Sequence, residues 1–249
     1  MAERHQVTRI RRERRRRSLT VTASERLSPH MLRLRFASPE LSDFESAAPD
    51  DHVKLFVPDG AGGMAMRDYT PRAFDAAAGT LVIDFALHDA GPATAWALGA
   101  GVGETIQIGG PQGSSIVTDD FDWYLLIGDE TALPSIARRL EELRSEVPVL
   151  ALIAVDAEAD RIELADRANL MVHWAYRTDP GSDAVRLAAL IDGLILPEGE
   201  GYVWIAGEGS VARVLRTHVV ETLRHPREWV KAAGYWTIGV PDSHERIGD

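Results

Sequence analysis

The chain contains no cysteine. That excludes disulfide cross-links, thiolate nucleophiles and cysteine-ligated iron–sulfur clusters, so a redox role would have to run through an organic cofactor. Lysine is nearly absent: of 249 residues, Lys54 and Lys231 alone carry an ammonium side chain. No apolar run approaches the ~20 residues of a membrane-spanning helix. The arginine-rich N-terminus lacks the apolar centre of a secretion signal. A cytoplasmic protein with no membrane span is therefore expected. The eight histidines are scattered, without His-x-x-x-His or clustered His/Glu spacing, so no protein-ligated metal is expected. P-loop and Gly-x-Ser-x-Gly patterns are also missing.

What is present is a hydrophobic content of 45%, sufficient for packed cores in one large or two modest domains. Charge is uneven. Residues 1–17 hold eight arginines and two glutamates, a net of +6; with −11 for the whole chain, residues 18–249 carry −17. An acidic body disfavours nucleic acid as a partner, and residues 1–17 read as a basic, flexible, solvated tail.

Residues 19–23 and 31–36 alternate apolar and polar positions, and 52–57, 80–85 and 102–108 read as further strands, with turns at 58–63 and 76–79. Many short antiparallel strands with glycine turns suggest a small closed barrel. One helical piece, 92–98, interrupts them, with Pro92 suited to its first turn. After Phe121 the pattern changes. Residues 123–128, 147–155, 170–174 and 202–207 read as buried strands, and 133–145, 183–191 and 210–223 as helices. Alternating strand and helix implies a parallel sheet covered by helices. The expected organisation is a tail at 1–17, a barrel domain at 18–118 and an α/β domain at 119–249.

The most informative stretch is Arg67-Asp68-Tyr69-Thr70-Pro71-Arg72. Tyrosine can stack on a ring, threonine can donate to a ring nitrogen or carbonyl, and arginines can fork onto phosphate. Together they suit a flat ring joined to a phosphate. Strand alternation would place Arg67, Tyr69 and Pro71 on one face and Asp68, Thr70 and Arg72 on the other. A polar edge strand with a structural tyrosine explains the hexapeptide equally well. Further on, Gly91 and Pro92 open a helix whose first N–H groups favour a pyrophosphate. Ala93 and Thr94 permit close approach, and His88 can bond phosphate or ribose. Trp96 reads as a core residue.

Two strand-to-helix junctions lie in the second half, at residues 128–134 and 206–210. Ligands gather at the carboxyl ends of strands in such sheets. Asp129 and Glu130 would repel a pyrophosphate, so they are not expected to face it. Asp129 or Thr131 also reads as a helix cap. For coenzyme choice, Asp156, Glu158 and Asp160 favour a free ribose, whereas Arg161 and Arg177 allow a 2′-phosphate.

The Arg-x-Tyr-Thr pattern resembles the flavin-binding strand of ferredoxin-reductase-like flavoproteins. The segments 51–58, 88–97, 128–134 and 234–236 with Gly239, in that order, narrow the resemblance to the siderophore-interacting proteins, over about residues 19–240. It implies a six-stranded antiparallel FAD-binding barrel followed by a parallel-sheet NAD(P)H-binding domain. It implies that Arg67, Tyr69 and Thr70 contact the flavin and its phosphate arm, with Arg72 nearby and His88, Gly91, Pro92, Ala93 and Thr94 at the pyrophosphate. It places Asp129, Thr131, Ala132, Gly207, Glu208 and Trp236 toward the nicotinamide coenzyme. Lys54 and Lys231 are candidates for an anionic chelate, although solvated lysines read as well; Thr237 stands where the family pattern has a basic residue. The implied activity is FAD-dependent reduction of ferric siderophores in iron homeostasis. NADPH is the donor the family favours; NADH and reduced ferredoxin are left open. Alternatives are another flavin reductase of the superfamily and a non-enzymatic siderophore-binding protein.

Overall fold

A computed structural model of the chain describes residues 4–87, 91–240 and 243–248. The chain divides into two compact units, one formed by residues 7–117 and the other by 1–6 with 118–249.

The first unit is antiparallel throughout. Its strands are β1 (Val7–Arg11), β2 (Arg16–Ser28), β3 (Met31–Ala37), β4 (Val53–Pro58), β5 (Met64–Tyr69), β6 (Ala73–Asp75), β7 (Thr80–Ala86), β8 (Thr105–Gly109) and β9 (Gly113–Val117), with one helix, α1 (Pro92–Gly99). Seven of the strands form a sheet in the order β5-β4-β8-β2-β3-β7-β6. Alternation makes the sheet one-sided: Leu32, Leu34 and Phe36 of β3 and Val53, Leu55 and Val57 of β4 turn inward and are buried together. The sheet curls until β5 meets β7. The expected six-stranded barrel is thus a seven-stranded, barrel-like sheet, and no ladder among the described residues closes it.

The basic tail is also corrected. Residues 7–11 form β1, which pairs antiparallel with β9, and Arg16 and Arg17 open β2 opposite Gly109 and Ile108. Arg17 is 6% exposed. Its guanidinium donates to Glu40 O (2.9 Å), Gly110 O (3.2 Å) and Asp43 Oδ1 (3.0 Å). Backbone pairing and carboxylate partners anchor a segment whose composition alone suggested solvation.

The second unit contains β10 (Trp123–Asp129), α2 (Leu133–Glu142), β11 (Val149–Val155), β12 (Leu170–Tyr176), α3 (Asp183–Asp192), β13 (Gly201–Glu208), α4 (Gly209–Thr217), β14 (Val230–Trp236) and β15 (Glu245–Ile247). The sheet order is β12-β11-β10-β13-β14-β15, parallel except for β15. Every residue of β10, β11 and β13 is buried, as their continuous apolar runs require for strands covered on both faces. The strand order reverses between β10 and β13, which places a switch-point crevice at their carboxyl ends. No helix among the described residues is long and apolar enough to cross a membrane.

Candidate functional site

In the first unit, Arg67 and Tyr69 lie opposite Leu55 and Val53, whereas Asp68 lies opposite Lys54. Leu55 and Val53 are fully buried, so Arg67 and Tyr69 occupy the inner face of the sheet and Asp68 the outer. The Tyr69 ring packs on Phe85 of β7 with centroids 4.5 Å apart and joins the apolar core. Burial raises its phenol pKa, against a smaller pull from Arg67, so the ring stays neutral. The Arg67 guanidinium donates to Met66 O at 2.7 Å. Thr70 is buried just past the strand end.

Alternation does not continue through the whole hexapeptide, because β5 stops at Tyr69. The Arg72 N–H donates to Val82 O at 2.9 Å, and its side chain lies 3.9 Å from Asp84. Asp84, whose side chain is 1% exposed, also takes both ends of the Arg33 guanidinium at 2.6 and 2.7 Å. Two arginines sharing one buried carboxylate is an arrangement the linear motif did not reveal. Its one advance signal was a charged residue inside the apolar run 80–85.

Helix α1 starts at Gly91, whose extended backbone forms the cap position, with Pro92 in the first turn and no side chain capping the helix. Ala93 and Thr94 are buried. Their end of the helix therefore offers N–H groups that no side-chain cap satisfies. Helix α1 packs against β3, β4, β5 and β7, bringing it to the strand that bears Arg67 and Tyr69. Trp96 anchors it, 6.5 Å from Phe36 and 6.2 Å from Phe85 between ring centroids. His88 lies outside the described residues. A neutral ring, a guanidinium and an uncapped helix start in one unit fit a cofactor that joins a flat ring to a pyrophosphate.

Lys54 donates to Asp68 Oδ2 at 2.9 Å across β4 and β5. The cation considered for an anionic substrate thus already neutralises a neighbouring carboxylate. Lys231 lies on β14, opposite Trp204 of β13.

In the second unit, Asp129 joins three strand ends. Its Oδ2 accepts Glu208 N–H and Trp236 Nε1–H, both at 2.9 Å, and its Oδ1 accepts Thr131 N–H at 2.9 Å and the Thr131 hydroxyl. It is 5% exposed. The sequence offered it as a helix cap, but the cap position of α2 belongs to Ala132, with no side-chain bond. Ala132 is fully buried, and its Cβ lies 2.4 Å from where a Cβ on Gly128 would sit. Gly207 has φ +150, and a Cβ there would meet Asp129 Oδ2 at 2.6 Å. Glu208 caps α4, accepting Ser210 N–H (2.7 Å), Val211 N–H (3.0 Å) and the Ser210 hydroxyl. Burial opposes its charge, but these donors win and lower its pKa. A small, mostly apolar void lies against these strand ends, bordered by Gly128, Asp129, Leu187, Gly207, Glu208 and Ala212. The structure therefore gathers Asp129, Thr131, Gly207, Glu208 and Trp236 into one network.

Beside it lies a cluster that the sequence reading did not assemble. Glu130, 8% exposed, grips Arg177 at 3.0 and 2.8 Å. Arg177 also donates to Asp156 Oδ1 (2.7 Å) and Asp183 Oδ2 (3.0 Å). Burial, with the Asp129 charge, pushes Glu130 up to about 7 against the pull of Arg177.

Residues 121–239 match the model of the siderophore-interacting protein family, and residues 20–65 and 60–115 match the siderophore-interacting FAD-binding domain. The NADPH-dependent ferric-chelate reductase of Escherichia coli (strain K12) is 32% identical, over 92% of this chain and 95% of its own length. The ferric vibriobactin reductase ViuB of Vibrio cholerae is 27% identical, over 86% of each chain. Among solved structures, a siderophore utilization protein from T. fusca superposes with a TM-score of 0.88 at 32% identity, covering 96% of this chain and 98% of that one.

Proposed function

The chain belongs to the siderophore-interacting protein family, and we propose that it is an FAD-dependent oxidoreductase that reduces the iron(III) of a ferric siderophore with electrons from NADPH or NADH. The observation that carries this reading is the pairing, in one unit, of the Arg67–Tyr69 strand end with the uncapped start of α1.

In this reading Tyr69, kept neutral by burial, flanks a flat ring. Arg67 supplies a charge-assisted donor to phosphate. The first N–H groups of α1, at Ala93 and Thr94, hold the pyrophosphate with the helix dipole. Thr70 and Arg72 bound the ring side. When bound, FAD supplies acceptance of two electrons together and their release one at a time. Asp129, Gly207, Glu208 and Trp236 shape the crevice that receives the coenzyme. The balance is simple: the coenzyme gives up a hydride, a proton is left over, and each electron converts one ferric chelate to iron(II). Oxygen chelators hold iron(II) far more weakly than iron(III), so the metal is released without a protein acid or base. Lys54 and Lys231 are the two lysines we keep as candidates for the anionic chelate. A reduced nicotinamide coenzyme is preferred to ferredoxin as donor because the second unit keeps a switch-point crevice. A cytoplasmic location, where such coenzymes are available, fits the reaction.

The test is optical. Purified protein incubated with FAD should retain a flavin band through gel filtration, and anaerobic NADPH or NADH should bleach it. A protein that takes up no FAD would contradict the reading. A flavin that ignores both coenzymes would move the donor to ferredoxin.

A further inference from the structure

Glu130, Asp156 and Arg177 are the residues that directly follow β10, β11 and β12. Three neighbouring parallel strands thus deliver two carboxylates and one guanidinium to the same carboxyl edge of the sheet. Arg177 is fixed there: its N–H donates to Val155 O at 3.0 Å, and its side chain is bound by Glu130 at two points and by Asp156. Asp183, in the first turn of α3, contributes a third carboxylate, 3.0 Å from Nε. Arg186 holds the other oxygen of Asp183 at 2.9 Å. Three carboxyl groups therefore surround two guanidiniums. Even with Glu130 pushed up to about 7, the two aspartates balance the two arginines, so the edge has no spare positive charge for a ligand.

This edge is where a sheet of this topology meets the adenosine ribose of a dinucleotide. An acid after the second strand accepts bonds from a free 2′-hydroxyl, whereas a 2′-phosphate needs an available arginine. Here Asp156 is that acid. Its side chain is 49% exposed, against 11% for Glu130 and 15% for Asp183, so it is the member of the cluster that faces solvent. Arg161, the other arginine of this region, lies over the Tyr176 ring at 5.2 Å, bonds its hydroxyl, and sits 3.6 Å from Glu158. A 2′-phosphate would have to displace carboxylates from Arg177 and would then lie beside them.

We propose that the carboxylate-bound Arg177, with Asp156 at its exposed side, makes this chain select the unphosphorylated ribose of NADH over the 2′-phosphate of NADPH. The proposal rests on the reductase reading and specifies its electron donor.

Calorimetric titration of the FAD-loaded protein with NAD+ and NADP+ reads this preference without turnover. NAD+ should bind about tenfold more tightly. Asp156→Ser should narrow the ratio about tenfold by improving NADP+ binding, with the kcat/KM ratio for NADH and NADPH moving the same way. Asp156→Asn, which keeps the side-chain shape, should shift the ratio in the same direction and controls for a folding defect. A wild-type preference for NADP+, a ratio unmoved in both variants, or no binding of either dinucleotide would overturn the proposal. Photoreduction of the bound flavin separates the two ideas. Photoreduced protein that releases iron(II) from a ferric siderophore keeps the reductase reading alive even if coenzyme selection fails, and photoreduced protein that releases none sinks the reading itself.

Discussion

Trp236, the last residue of β14, donates its indole N–H to Asp129, the last residue of β10, at 2.9 Å, although β13 lies between the two strands. The same Asp129 oxygen accepts the N–H of Glu208 at the end of β13. One buried carboxylate thus clamps three adjacent strand ends at the switch point of the sheet, the place to which the proposed function assigns the coenzyme.

Replacing that carboxylate should unfasten the clamp. In Asp129→Asn an amide N–H would face the Trp236 and Glu208 donors if it took the Oδ2 position. Leaving buried donors unsatisfied should cost about 1–3 kcal/mol, read as a lower melting temperature. FAD uptake through the first unit should persist. A melting curve identical to wild type would contradict the clamp.

Arg67→Ala tests the flavin assignment with little structural cost, because the Arg67 guanidinium contacts a neighbouring carbonyl and not a core carboxylate. Stability should change by no more than about 0.5 kcal/mol. FAD affinity should fall about tenfold or more, the loss of one charge-assisted hydrogen bond worth about 1.5–3 kcal/mol. Folded protein with undiminished flavin content would remove Arg67 from the site. Tyr69→Ala is a poorer probe, since it also removes the ring packed on Phe85.

The Glu208 cap makes a pH-dependent contribution of known sign. Burial opposes its ionisation, but the Ser210 and Val211 donors lower its folded pKa below the ordinary glutamate value. Its stabilisation is therefore fully present above that unfolded value, about 4.3, and is lost as pH falls through the folded pKa. Wild type should lose more stability between pH 6 and pH 3 than Glu208→Gln, by about 1 kcal/mol for the cap. Parallel acid-melting profiles for the two proteins would refute the assignment.

Deleting residues 1–17 should destabilise the first unit, because it removes β1 and the buried Arg17 contacts. Arg17→Met is the finer test. It leaves two carbonyls short of a donor at a cost of about 1–3 kcal/mol, visible as a lower urea midpoint. Unchanged midpoints in both variants would return this segment to the solvated tail that its composition suggested.

The two sheets were legible in the sequence because burial dictates period: β3 alternates as a one-sided strand must, and β10 and β13 are apolar throughout as two-sided strands must be. Segment type was clearer than segment ends. The last predicted helix, 210–223, ends as α4 at Thr217 and passes into a wider turn at His218–Thr222. Among the candidate residues, local pattern located Gly91 and Glu208 correctly at a helix start and a strand-to-helix junction, but it carried strand alternation past Tyr69, where β5 ends. It could not reveal the Asp129–Trp236 bond, the Arg33–Asp84 pair or the approach of Glu130 and Asp156 to Arg177, since those partners are separated by 21 to 107 residues and meet only through sheet order. Arginine-rich composition misled at β1 and Arg17, where pairing and buried acceptors outweigh charge.

The most direct test of the central claim is an anaerobic rapid-mixing experiment. FAD-loaded protein, reduced beforehand by a stoichiometric amount of NADH or NADPH, is mixed with a ferric siderophore and a ferrous-iron trap. The account predicts that flavin absorbance returns in step with trapped iron(II), one flavin reoxidised for each pair of iron(II) ions. Reduced flavin that persists beside an intact ferric chelate would contradict it.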